Sequence, residues 1–226
     1  MKKIILLFIS ILLSTTFCCA DELRLDQDAP YQKKLMEIGF RILNANRVDK
    51  RMTFYYKNDQ DVNAKILSRT KKIYIYKGLI PFIDNDDELA AIIAHEIAHG
   101  LDLHEGLARR TAMKLRPIKY EQKADQVAVD LIVNAGYNPL ALIIVLNKTT
   151  GEPCFASSRS NGTKRLAKIY EYIYKKYPAY LVYNDYKKNI YYQNFLLTTQ
   201  SERAKIRQKY QAEKLMSVSN KTTKRK

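Results

Sequence analysis

Residues 87–99 decide the fold and read Asp-Glu-Leu-Ala-Ala-Ile-Ile-Ala-His-Glu-Ile-Ala-His, which ends in an HExxH motif. Positions four apart share one face of a helix, so His95 and His99 can bind the same metal ion. Glu96 follows His95 directly, and its carboxylate can reach a water at that metal. The motif therefore predicts a metal site on a helix. The structural alternative is a surface helix that happens to carry two histidines and an acid.

The same helix has clear start and stop signals. Asn85 can cap its first turn, and Glu88, three residues later, can complete a capping box. Gly100 comes directly after the motif, and glycine is common just past the end of a helix. We therefore predict a helix that begins near Asn85 and ends at Gly100.

A second acidic motif, Glu-Gln-Lys-Ala-Asp at residues 121–125, can supply a third ligand. Catalytic zinc takes three protein ligands and leaves a fourth position for water, and His95, His99 and Glu121 form such a set. Asp125 lies four residues after Glu121, on the same helix face. It can accept the second N–H of a ligating imidazole and so fix the ring orientation. The two motifs together predict one Zn²⁺ per chain.

The side chains predicted at this site are those that peptide hydrolysis needs. Glu96 can take the proton of an attacking water and pass it to the leaving amine. The remaining histidine, His104, lacks metzincin spacing, because the positions that would hold the histidine and glycine of that pattern are Glu105 and Asp102. We therefore predict a zinc endopeptidase with protein or peptide substrates, and no metal-binding role for His104.

The remaining sequence predicts a mostly helical α+β fold with a small β-sheet. Apolar spacing, with its start and stop residues, predicts further helices near residues 28–43, 119–135, 138–147 and 164–177. Two runs rich in strand formers predict strands at residues 51–56 and 72–76. We interpret the strand at 72–76 as an edge strand, whose free backbone can pair with an extended substrate.

Residues 1–20 have the organisation of a cleaved signal peptide. A positive start and an apolar run precede Cys18-Cys19-Ala20, whose small residues suit cleavage after Ala20. The apolar run is short for a membrane span, and the residues before either cysteine form poor lipobox sequences. We therefore expect a periplasmic protein, with secretion or lipid anchoring less favoured. Cleavage would leave Cys154 alone, so no intramolecular disulfide is expected.

The mature chain is expected to form one domain over residues 21–184 and a basic extension over residues 185–226. Loss of Lys2 and Lys3 leaves 37 basic and 23 acidic residues, a net charge of +14. Such a charge favours a weak contact with anionic membrane surfaces, although a solvated lysine-rich surface is the favoured alternative. No nucleic-acid partner is expected for an exported protein. The last ten residues, 217–226, have the composition of a disordered tail.

Several segments resemble the M48 zinc metallopeptidases, namely residues 63–80, 87–99, 121–125 and 135–139. The resemblance implies a zincin-like (gluzincin) fold. It also implies zinc bound by His95, His99 and Glu121, a catalytic Glu96, and Asp125 beside the ligands. That family contains periplasmic quality-control proteases, so the implied substrates are unfolded or misassembled envelope proteins.

Two arginines show where the chain follows that family and where it departs from it. Arg165 matches the family's arginine, whereas Arg159 stands where many members have histidine. Both are candidates for contact with the substrate or with the transition state. Two other functions remain open: a non-proteolytic, holdase-like binding protein with structural zinc, and a secreted protease that acts on foreign proteins. Glu96 argues against the first, because a structural zinc site needs no base.

Overall fold

The computed structural model describes residues 28–67, 69–102, 117–149 and 162–223. Its helices are α1 (Ala29–Ala45), α2 (Asp86–Asp102), α3 (Pro117–Asn134), α4 (Leu140–Lys148), α5 (Gly162–Lys176), α6 (Ala179–Val182), α7 (Ile190–Thr198) and α8 (Gln200–Thr223), with a 3₁₀ helix at Lys77–Phe82. Its strands are β1 (Thr53–Lys57), β2 (Ala64–Leu67) and β3 (Lys72–Tyr76). The predicted mostly helical α+β class is confirmed. The predicted signal peptide at residues 1–20 lies outside the described residues.

The strands form one sheet in the order β1-β3-β2, with β1 parallel and β2 antiparallel to β3. Both predicted strands are confirmed. The interpretation of residues 72–76 as an edge strand is wrong, because β3 lies between the other two and uses both sides of its backbone. β2, which reads Ala-Lys-Ile-Leu, was not predicted, since so short a run has little of the β-branched and aromatic character of strands.

Helix α2 lies at the centre of the fold and packs against α1, α3, α4 and the sheet. Its apolar side chains Ile92, Ile93 and Ile97 are completely buried. In α4, every residue of the run Leu140–Leu146 is buried, as expected for a helix that is apolar on all sides. None of the described helices is both long and apolar enough to cross a membrane.

The first turn of α2 only partly follows the predicted capping box. Asn85 Oδ1 accepts the backbone N–H of Glu88 at 3.0 Å, as predicted. The Glu88 carboxylate accepts the backbone N–H of Asp84 at 3.0 Å rather than that of Asn85. It also accepts a hydrogen bond from Lys148 Nζ at 2.7 Å, and this buried ion pair ties α2 to α4.

The prediction that α2 ends at Gly100 is wrong, because the helix continues to Asp102. Gly100 is required for close packing instead. A Cβ atom at this position would lie 2.5 Å from Ile66 Cδ1 and 2.9 Å from Met52 Cε. The absent side chain lets the end of α2 lie directly against β2 and the start of β1, which brings the outer strand next to the HExxH motif.

Residues after 184 pack into the same core as α2. Tyr186, Tyr192 and Phe195 are buried in it. The predicted boundary between the domain (21–184) and the basic extension (185–226) therefore falls inside the packed region, and we place the end of the folded domain beyond α7. Isolated aromatic residues between lysines carry little periodicity, so the sequence did not indicate this burial.

The prediction of a disordered tail at residues 217–226 is wrong up to Thr223, where α8 ends, and residues 224–226 lie outside the described chain. α8 is docked on α5 by an ion pair between the partly exposed Arg207 and the buried Glu171. Arg207 Nε donates to both carboxylate oxygens of Glu171, at 3.0 and 2.9 Å. Composition alone does not reveal such a tertiary contact, which favours the helix over a disordered chain.

Candidate metal centre

Three helices bring the predicted site residues together. Helix α2 carries His95, Glu96 and His99, α3 carries Glu121 and Asp125, and α5 carries Arg165. α2 and α3 pack against each other, and both contain fully or nearly fully buried alanines, namely Ala90, Ala91, Ala94, Ala98, Ala124 and Ala128. Small side chains allow helix axes to approach closely. Residues far apart in the sequence can therefore share one site.

The predicted ligand atoms of His95, His99 and Glu121 lie close together. The Nε2 atoms of His95 and His99 are 3.0 Å apart. The Glu121 carboxylate oxygens lie 3.4 Å from His95 Nε2 and 3.3 Å from His99 Nε2. One ligand atom from each of the three residues lies within 4.8 Å of the others. The predicted ligand set is thus assembled in the fold.

Asp125 fixes the orientation of the His95 ring. Its Oδ1 atom lies 3.2 Å from His95 Nδ1, and both side chains are almost completely buried. With Nδ1 directed at this carboxylate, Nε2 is the ring nitrogen that faces His99 and Glu121. A carboxylate behind a metal-binding histidine holds the ring and raises its basicity.

Arg165 in turn holds Asp125. Its Nε and Nη2 atoms donate to Asp125 Oδ2 and Oδ1, both at 2.7 Å, which is a bidentate geometry. Arg165 Nη2 also lies 3.1 Å from Glu121 Oε2. The Arg165 side chain is only 5% exposed. In this arrangement Arg165 contacts the residues around the ligands and not open solvent, where a substrate would enter.

Glu96 is buried beside the ligands, with an exposed fraction of 4%. Burial raises its pKa, and the nearby His95 and His99 partly oppose this increase. The backbone N–H of Ile66 in β2 acts to lower the pKa of Glu96, so this donor lies near the carboxylate. Sequence analysis missed this proximity of the motif helix and the outer strand because β2 itself was not predicted.

The charges of the ligand set are strongly coupled. Burial acts to lower the pKa of His95, but hydrogen bonds to Asp125 and Glu121 outweigh it and raise that pKa to about 9. Burial acts to raise the pKa of Glu121, yet its hydrogen bonds to His95 and His99 lower it overall. Burial likewise acts to raise the pKa of Asp125, and Arg165 lowers it overall. Both carboxylates are therefore ionised at neutral pH.

The residues fit a zinc ion. Two imidazoles and one glutamate form a ligand class of catalytic zinc sites, which keeps a fourth position open. Zinc–ligand distances of about 2.0–2.2 Å in a tetrahedral site place ligand atoms about 3.3–3.6 Å apart. The observed separations of 3.0, 3.3 and 3.4 Å are close to that range.

The structure thus brings together every described residue of the predicted site. Its ligand candidates, the candidate base Glu96, Asp125 and Arg165 share one cluster, whereas Arg159 and His104 lie outside the described residues. The bidentate pair of Arg165 with Asp125 was not predicted. No spacing rule could have found it, because the two residues lie on different helices.

Comparison with protein families gives a match to Peptidase family M48 over residues 31–118. The matched residues include the whole motif helix with His95, Glu96 and His99. They end before Glu121, so the third ligand position is supported by the geometry of α3 and not by this match.

Two curated relatives match this chain at low sequence identity over a longer stretch than the family match. The chain is 22% identical to the Beta-barrel assembly-enhancing protease of Yersinia pestis and 20% identical to that of Escherichia coli (strain K12), each over 160 residues that cover 53% of this chain and 33% of the relative. The chain therefore spans about a third of the length of these curated relatives. Since the matched segment contains the helix around which the zincin-like fold and the ligand cluster are built, these comparisons support an M48 family metallopeptidase.

Proposed function

We propose that this chain is a zinc-dependent endopeptidase. The observation that carries the proposal is the cluster of His95, His99 and Glu121, with the buried carboxylate of Glu96 beside it. Structural zinc sites are usually closed by four protein ligands, whereas the described residues offer three here. An acid next to an open ligand set has a clear use in hydrolysis and none in a structural site.

The chain's own residues divide the chemistry between them. Zinc held by His95, His99 and Glu121 would supply Lewis acidity, which acidifies water and polarises a carbonyl. Glu96 takes the proton of the attacking water on its carboxylate and later gives that proton to the leaving amine. Its raised pKa suits this exchange, because a strongly acidic carboxyl group is a weak base. Asp125 keeps the His95 ring in place throughout.

The free edge of β2 is the proposed path of the substrate backbone. Tyr76 N donates to Asn63 O at 3.1 Å, so Asn63 belongs to a hydrogen-bonded pair with β3. Hydrogen-bonded pairs alternate along an antiparallel ladder, so the backbone groups of Ala64 and Ile66 point away from β3. They point to the side where Glu96 lies near the Ile66 N–H. An extended peptide paired along this edge would pass beside the proposed base.

For the substrate class, we propose unfolded or misassembled envelope proteins in the periplasm. The support is the signal-peptide pattern of residues 1–20 together with the similarity to two proteins named Beta-barrel assembly-enhancing protease. Backbone pairing along β2 suits such substrates, because it requires an extended chain and few particular side chains.

The direct test compares peptide cleavage by the purified protein and its Glu96→Gln variant, with zinc content measured for both. The variant keeps the three ligands, so we expect about one zinc per chain in each protein. We expect cleavage to fall by roughly 10²- to 10⁴-fold in the variant, because glutamine cannot accept the proton. Peptide profiling with the active protein then defines the cleavage preference.

Two results would contradict the proposed endopeptidase activity or the role of Glu96 in it. Equal cleavage by the variant with full zinc would exclude Glu96 as the base. Zinc binding without any cleavage, combined with suppression of aggregation of an unfolded protein, would favour the holdase-like alternative. Cell fractionation distinguishes a periplasmic protease from a secreted one that acts on foreign proteins.

A further inference from the structure

A groove rich in lysine lies on the outer side of the helices that carry the metal site. Helices α3, α5 and α8 enclose a cavity of about 410 Å³, which is in the size range of small-ligand sites. We call it the lysine groove. Its lining side chains are Lys119, Gln122, Lys123, Gln126, Lys168, Ile206, Lys209, Tyr210 and Glu213.

Among the described residues that line the lysine groove, four are lysines and one, Glu213, is acidic. Lys168 is half-buried, and its Nζ donates to the neutral Gln122 Oε1 at 2.6 Å. Burial lowers the pKa of Lys168, and the charges of Lys164, Lys209 and Lys119 lower it further. The acidic Glu213 lies 3.9 Å from Lys209 and offsets part of one charge. Lysines from three helices are thus held together against their mutual repulsion.

We propose that the lysine groove binds a phosphate-bearing anion. Ammonium groups are compact point charges that bind phosphate, and hydrogen bonds to ionised groups are the strong ones. The amides of Gln122 and Gln126 add neutral donors beside the lysines. Ile206 and Tyr210 are the two apolar or aromatic side chains among the nine that line the groove, so the groove suits the charged head of a ligand better than an acyl chain. A dianion would remove the repulsion among the lysines.

The groove is also connected to the metal site through its helices. Gln122 follows the ligand Glu121 in α3, and Lys168 lies one turn after Arg165 in α5. An anion that bridges α3, α5 and α8 would hold the helices that position Glu121 and Asp125. Binding is therefore expected to raise the melting temperature of the protein.

The test uses two variants with the same change in charge. In the first, Lys119, Lys123, Lys168 and Lys209 are all replaced by glutamine. In the matched control, four exposed lysines outside the groove are replaced instead, namely Lys33, Lys77, Lys187 and Lys188. Calorimetry measures the binding of pyrophosphate, and sedimentation measures the binding of phosphatidylglycerol or phosphatidylcholine vesicles. Circular dichroism checks folding, and the single variant Lys168→Gln replaces the quadruple one if that protein does not fold.

We expect the wild type and the control to bind pyrophosphate at one site per chain, and the groove variant to bind at least about tenfold more weakly. Binding to phosphatidylglycerol but not to phosphatidylcholine, with the same dependence on the groove lysines, also supports the proposal and identifies a lipid headgroup as the source. The groove variant should melt at a higher temperature than the wild type in phosphate-free buffer, because four like charges no longer repel.

Four outcomes overturn the proposal. Equal weakening in the control would mean that net charge alone attracts the anion. Undiminished binding in the groove variant would place the anion elsewhere, for instance at the metal centre. A wild type that binds neither pyrophosphate nor phosphatidylglycerol has no such site. If an oligoglutamate peptide bound as tightly as pyrophosphate, the groove would recognise carboxylates and not phosphate in particular.

Discussion

His95 is the residue on which the metal site depends most, because both of its ring nitrogens are committed. Nδ1 faces Asp125 at 3.2 Å, and Nε2 lies 3.0 Å from His99 Nε2. Asp125 is itself held by the two hydrogen bonds from Arg165. We therefore propose that Arg165 and Asp125 are positioning residues, which hold the ring of a candidate ligand without being candidate ligands themselves.

The first prediction at this scale concerns the third ligand. Glu121→Ala removes the carboxylate that completes the set and is expected to leave far less than one zinc per chain after gel filtration. His104→Ala should keep one zinc, because the sequence predicts no ligand role for that histidine. Metal analysis of both proteins measures the difference. Normal zinc in the Glu121 variant together with loss in the His104 variant would contradict the ligand set.

The second prediction concerns the buried pair of Arg165 and Asp125. Asp125→Asn removes the bidentate countercharge of the buried Arg165 and leaves it only the single contact with Glu121, so the free energy of unfolding should fall by about 3 kcal/mol. The double change Asp125→Asn/Arg165→Gln should cost less than the sum of the single changes, because neither charge then remains alone. Urea unfolding with a chelator present measures these free energies of unfolding without a contribution from bound metal.

The control for this pair is Glu37→Gln, which breaks an exposed ion pair with Lys33 and should leave stability unchanged. Zinc affinity gives a readout specific to positioning, because loss of a carboxylate behind a metal-binding histidine typically weakens binding by about 10- to 100-fold. Loss of stability with unchanged zinc affinity would show that Asp125 has only a structural role.

At the level of secondary structure, the order of the strands limits where the proposed substrate backbone could pair with the sheet. β3 is paired on both sides, so the free backbone in the described sheet belongs to β1 and β2. Of these, β2 lies next to α2, because Gly100 allows the helix to approach Ile66 closely. The order of the strands excludes β3, and the close packing of α2 at Gly100 then favours β2 over β1.

This arrangement predicts a period of two in substrate recognition. A cleaved peptide is synthesised with one N-methylated amide at a time, and kcat/KM is measured for each version. Only alternate N–H groups of a paired strand face its neighbour. N-methylation at every second position should therefore lower kcat/KM by about two- to tenfold, which corresponds to the loss of one hydrogen bond. The intervening positions are the internal control. A uniform loss along the peptide, or none, would contradict pairing along β2.

At the scale of the whole molecule, the C-terminal helices complete the core and do not form a separate tail. Tyr192 and Phe195 of α7 are buried, and Arg203 Nη2 of α8 donates to the Leu196 carbonyl at 2.8 Å. Arg207 then pairs with the buried Glu171 of α5. Helix α5 also carries Arg165, which pairs with Asp125 beside the candidate ligands. α8 therefore supports the helix that holds Arg165 in place.

The prediction at this scale is that Arg207→Gln destabilises the protein, because Glu171 loses its cation while it stays buried. We expect a loss of about 1 kcal/mol in the free energy of unfolding, a modest value since Arg207 is partly exposed and water can partly replace it. Lys205→Gln on the same helix removes an exposed cation and should have no effect. Urea unfolding measures the free energy of unfolding of both variants. Equal values for the two would contradict the prediction.

Local sequence patterns predicted the ligand candidates, the two helices that carry them and the fold class. These features depend on local rules, such as the four-residue period of a helix and the ligand chemistry of histidine and glutamate. Glu121 and Asp125 could be predicted because they share one helix face. Residue spacing thus identified both halves of the site before their relative position was known.

Three features follow only from tertiary packing. β3 is the central strand, α2 continues through Gly100, and Arg165 holds Asp125. Each of these features joins residues that are distant in sequence, and packing of whole helices and strands selects their partners. The same holds for α7 and α8, whose composition resembles a solvated tail. Burial of Phe195 and the pairing of Arg207 with Glu171 require neighbours that no local pattern encodes.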